Sequence, residues 1–128
     1  MSDFTHRNIK DVHDSAPEFG FGDVAELRFA KDAFDCESTG FTYHRVEPDT
    51  PPGFGHRHDE AEEVYVVISG SGRMKLDDEI IEIERLDAIR VAPQVWRSFT
   101  PGPEGIEVLA FGPRHDGDGE ADPNWWTE

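Results

Sequence analysis

Two histidines separated by one residue, His56 and His58, and a glutamate after four intervening residues, Glu63, are the side chains best suited to do chemistry. Alternate side chains on an extended strand share a face, so His56 and His58 point the same way. Glu63 opens the apolar run Val64-Tyr65-Val66-Val67-Ile68 and shares its face with Tyr65 and Val67, while Glu62 turns to solvent. If the two strands are neighbours, two imidazoles and one carboxylate converge. That is the ligand set of a 2-His-1-carboxylate triad, which leaves metal positions open for substrate or oxygen.

The elements that must position these residues read as short strands. Alternation begins at Ala25–Phe29 and returns at Phe41–Val46. A rigid loop with Pro48, Pro51, Pro52, Gly53 and Gly55 leads into the histidine strand. Gly70-Ser71-Gly72 reads as a hairpin turn between Val64–Ile68 and Arg73–Leu76, and Asp77-Asp78-Glu79 as the turn before Ile80–Glu84. Ala88–Val91, Val95–Phe99 and Ile106–Phe111 follow, the last two separated by Pro101-Gly102-Pro103-Glu104-Gly105. Short strands at this spacing predict an all-β antiparallel sandwich or barrel. Ala30–Cys36 offers one or two helical turns at most. Residues 1–22 read as a polar N-terminal arm, 23–112 as the barrel, and 113–128 as a tail that Trp125 and Trp126 pack onto the barrel or a partner.

Composition narrows the partners. Twelve basic residues face 28 acidic ones, for a net charge of −16. Such a surface repels phosphate backbones and anionic lipid heads, which argues against nucleic-acid and membrane partners. One cysteine, Cys36, precludes an internal disulfide and fits a reducing compartment. With no basic-then-apolar leader and no run near the ~18 residues of a membrane span, a cytoplasmic protein is expected. His6, His13 and His115 stand in polar segments without ligand-like spacing, and His44 reads as a surface group or one behind the ligands.

The stretch Gly53-Phe54-Gly55-His56-Arg57-His58, then Glu63, then Gly70, resembles the first signature of the cupin superfamily. Leu86 to Arg97 resembles the second signature, with departures: Leu86 and Gln94 stand where glycines are usual, and Arg97 where the fourth metal-binding histidine is. The resemblance covers about residues 40–112 and implies a jelly-roll barrel, a double-stranded β-helix, with a small molecule bound inside it. It also implies one divalent metal ion (Fe, Mn, Ni or Zn) on His56, His58 and Glu63, and pairing into a homodimer.

Arg97 leaves two pictures open. A guanidinium has no lone pair to give a metal, and a unit charge ~5 Å from a divalent ion is repelled by roughly 6–7 kcal/mol at an effective dielectric of ~20. Either Arg97 pairs with Glu63 and takes the metal's place, or the three ligands hold a metal and Arg97 anchors an anionic ligand. Tyr65 is a core aromatic or a donor to that ligand. The chain is therefore expected to bind a small anionic molecule. The alternatives are a metal-dependent enzyme, of dioxygenase or sugar-phosphate isomerase-like activity, and a metal-free structural barrel with an internal Arg–Glu pair and a filled interior.

Overall fold

The computed structural model describes residues 3–113 and 118–126; His115 lies outside them. The described residues form eight strands: β1 Ala25–Phe29, β2 Thr39–Val46, β3 Gly55–His58, β4 Glu63–Leu76, β5 Glu79–Glu84, β6 Ala88–Val91, β7 Arg97–Pro113 and β8 Gly119–Asp122. All pairings are antiparallel, in the order β1-β2-β7-β3-β8, with β4 joined to β5, β6 and β7. The curled sheet is an all-β jelly-roll barrel of the kind expected. Among the described residues no helix is long and apolar enough to cross a membrane.

Two expected breaks are absent. Gly70-Ser71-Gly72 is no hairpin turn but the middle of β4, and the Pro-Gly segment after Thr100 belongs to β7. These strands pair from Val64↔Phe111 to Leu76↔Arg97, and the register steps from Gly70↔Ile106 to Gly72↔Pro101. The surplus residues of β7 are expelled as a bulge, where Pro103, without an N–H group, leaves no ladder bond unmade. The glycines serve close approach instead: a Cβ on Gly70 would stand 2.1 Å from the Gly105 carbonyl oxygen, and one on Gly72 2.0 Å from that of Thr100.

The core lies between the faces, with Tyr65, Val67, Met74, Ile83, Val91, Ile106, Val108 and Ala110 buried together. From the N-terminal segment, two short 3₁₀ turns at Ile9–Asp11 and Ala16–Phe19 fold back on β1. The Ser15 N–H donates to Leu27 at 2.7 Å, and the Leu27 N–H to Asp14 at 2.9 Å. Residues 31–35 make successive turns without a helix.

Leu86 has a φ of 73°, a left-handed conformation that L side chains avoid. This is where the cupin pattern places glycine, the residue that adopts such a φ without strain. The Leu86 side chain is 67% exposed and has little packing to lose. Leu86→Gly is therefore expected to stabilise the fold by about 1 kcal/mol, read as a higher urea midpoint. A lower midpoint would contradict the strain.

Candidate functional site

Strand β3 supplies the histidines. His56 pairs with Arg97 of β7 on one side and with Ala121 of β8 on the other. Alternation sends His56 and His58 inward and Arg57 outward, where its guanidinium lies over the Trp96 ring. Glu63, first residue of β4, is set against Val91 and carries its carboxylate to the same place.

One donor atom from each of His56, His58 and Glu63 lies within 4.8 Å of the others, the only such group among the described residues. Glu63 Oε1 is the hub. It stands 3.5 Å from His56 Nε2 and 3.2 Å from His58 Nε2, and accepts from the Tyr65 hydroxyl at 2.9 Å and from Arg97 at 3.1 Å. Burial alone would raise the Glu63 carboxyl, but the two histidines overcome this and hold it well below the usual carboxylate range. The Glu63 carboxylate raises His58 in turn, against burial, and Asp118 adds to the rise.

Arg97 is fully buried and does not reach toward the barrel mouth. One terminal nitrogen donates to Glu63, the other to the carbonyls of Ala92 at 2.8 Å and Pro93 at 3.3 Å. The Arg97–Glu63 pair thus exists, but it does not fill the interior. Beside it is a cavity of about 250 Å³, walled by Phe21, Leu27, Phe29, Phe54 and Phe99, with His56, Glu63, Tyr65 and Arg97 at its polar end.

The donor set fits a metal ion. His58 Nε2 is buried beside Glu63 yet has no hydrogen-bond partner. Its lone pair is what a metal would use, because the other ring nitrogen, Nδ1, is engaged by the Asp118 carboxylate at 2.8 Å.

Two further residues belong to the site: His44, which the sequence alone reads as a surface group or one behind the ligands, and Asp118, which it does not single out. His44 lines the cavity, its ring edge-on to Phe99 at 5.3 Å. Burial, reinforced by nearby His56 and opposed by Glu63, lowers its pKa to about 4, so it is neutral at physiological pH. Asp118 comes from the acidic, glycine-rich tail, which carries no periodic signal. Glu26 also borders the cavity, but it offers no loose charge. Burial would raise it, and Lys10, Arg45 and Arg28 hold it at about 2. Trp96 stacks on Trp125 on the outside of the barrel, and Trp126 is buried beneath Arg73. Of the remaining histidines, His13 pairs with Glu18 at the surface.

An all-β barrel with inward histidines and a glutamate at one end of its cavity has the cupin fold, and comparison with solved structures shows this directly. A cupin protein from Bacteroides fragilis superposes with a TM-score of 0.72 at 18% identity, over 100% of this chain and 99% of that one. KdgF from a Halomonas species gives 0.65 at 15% identity, covering 91% and 97%. An oxalate decarboxylase variant from Bacillus subtilis gives 0.69 at 20% identity, over 94% of this chain but only 32% of the larger protein. No family model matches the sequence, and no curated protein does.

Proposed function

We propose that this cupin binds a small anionic molecule in the barrel, beside a divalent ion held by His56, His58 and Glu63. The observation that carries the reading is the convergence of three donor atoms at the polar end of an apolar cavity. When bound, an ion of the Fe, Mn, Ni or Zn type supplies a Lewis-acid centre with positions open to an oxygen donor.

The chain's own residues account for selectivity. Phe21, Phe54 and Phe99 exclude water and receive an apolar body. Glu63 and Arg97 cancel each other's charge, so a loaded site is positive and favours an anionic head group. Arg97 offsets Glu63 and so leaves the ion's charge to the ligand, both of its terminal nitrogens being already engaged. Tyr65 donates to a ligand only by giving up Glu63.

One observation weighs against the isomerase-like alternative. A sugar-phosphate isomerase or similar activity needs a separate base, and His44 is the cavity residue placed to serve. With its pKa near 4 it is a weak base at neutral pH. The same reading takes the protein as a cytoplasmic homodimer; exposed Phe29, on the edge strand β1, and Phe111 support the pairing.

Elemental analysis of protein purified without chelator and incubated with Fe(II), Mn(II), Ni(II) or Zn(II) tests the site. About one ion per chain is expected, as a three-ligand open site takes, and none in His56→Ala or His58→Ala. Wild-type protein that retains no ion under any of these conditions would sink the reading.

A further inference from the structure

We infer that Asp118 is a positioning residue for the metal centre: it fixes the proton of His58 on Nδ1 and so keeps Nε2 free to bind the ion. The inference rests on the metal-site reading above. Asp118 Oδ1 lies 2.8 Å from His58 Nδ1. Its other oxygen accepts from the backbone N–H groups of Glu60 at 3.1 Å and Ala61 at 3.0 Å. A carboxylate held by two donors on one oxygen has only acceptor capacity to offer through the other. Nδ1 therefore carries a hydrogen, and in the neutral ring Nε2, which makes no hydrogen bond to Glu63 Oε1 although 3.2 Å from it, holds the lone pair.

The carboxylate is placed by structure more than by chance contact. Asp118 directly precedes β8, which pairs with β3 from His58↔Gly119 to Gly55↔Asp122. The Asp59 N–H donates to the Asp118 carbonyl at 3.0 Å. At the far end of β8, Trp125 lies flat against Gly55, where a Cβ would come within 2.4 Å of the indole, and Trp126 is buried. One strand thus carries the orienting carboxylate at one end and an aromatic anchor at the other.

Asparagine at this position makes the idea sharp. Its single amide oxygen cannot serve both the backbone donors and the imidazole. With the oxygen kept by Glu60 and Ala61, the NH₂ faces His58, Nδ1 becomes an acceptor, and the ring proton moves to Nε2. Asp118→Asn should therefore weaken metal binding more than Asp118→Ala, although asparagine is closer to aspartate in shape. A role limited to packing predicts the opposite order.

Two measurements test this. Long-range ¹H–¹⁵N NMR on metal-free protein, at a pH where His58 is neutral, should show the Nδ1–H tautomer in wild type and Nε2–H in Asp118→Asn. Competition of Zn²⁺ against a chromophoric chelator should show about a 10–100-fold loss in Asp118→Ala and a larger one in Asp118→Asn. Glu120→Ala, which removes only the Arg57 pair on the same strand, should keep wild-type values in both. An unchanged tautomer in Asp118→Asn, wild-type Zn²⁺ affinity in Asp118→Ala, or an equal loss in Glu120→Ala would each overturn the inference. A tautomer switch in Asp118→Asn together with no Zn²⁺ uptake by wild type would uphold the orienting role and remove the metal reading instead.

Discussion

Arg97→His is expected to raise metal affinity at least about 100-fold while making the metal-free protein less stable. The affinity gain has two sources. The substitution adds a fourth nitrogen donor beside His56, His58 and Glu63, and it removes a buried positive charge whose repulsion of a divalent ion is of order 6 kcal/mol at about 5 Å and a dielectric of about 20. A gain of two decades uses less than half of that. The stability loss follows from the bonds Arg97 now makes to Glu63, Ala92 and Pro93. Breaking a buried ion pair on one side costs about 3 kcal/mol or more. Zn²⁺ competition and urea unfolding of the metal-free protein read the two effects separately. An unchanged affinity would show that Arg97 does not oppose the ion.

A second large effect is acid sensitivity centred on His44. Its pKa of about 4 in the folded protein lies below the ordinary value near 6.5. Between those values the unfolded chain holds a proton that the folded chain refuses, so stability falls as the pH drops. At pH 4.5 the loss is about 2.5 kcal/mol relative to neutral pH. His58, with its pKa raised, works in the opposite sense: its contribution is complete below about pH 6.5 and is lost at higher pH. Glu63, with its pKa lowered, contributes fully above about pH 4.5 and loses its share only as the pH falls further. His44→Gln should remove most of the loss between pH 7 and 4.5, measured as urea midpoints of metal-free protein. A variant that loses as much as wild type would show that His44 does not carry the effect.

The parts of the site legible in the sequence are those fixed by local geometry. His56 and His58 share a face whatever they pair with, and Glu63 shares a face with Tyr65, so the cluster follows once the two strands are neighbours. The side of β2 that looks inward is a different matter. Thr42, His44 and Val46 on one face are no more apolar than Phe41, Tyr43 and Arg45 on the other, and pairing with β1 and β7 decides. Asp118 depends on β8 meeting β3 across 60 residues of chain. In β4 and β7, glycine and proline signal turns and bulges alike, so two long bent strands read as four short ones. Arg97 is buried in the barrel, where one terminal nitrogen meets the carbonyls of Ala92 and Pro93, which only the fold brings near.

The last strand also leaves an optical signature. All three tryptophans of the chain, Trp96, Trp125 and Trp126, sit where the tail meets the barrel. Arg57 caps Trp96, Lys75 caps Trp125, and Arg73 caps buried Trp126. Indole emission from this protein therefore reports the seating of one short strand, whereas far-ultraviolet circular dichroism reports the barrel as a whole. Any gap between the two signals on heating measures how independently the seam that carries Asp118 can open.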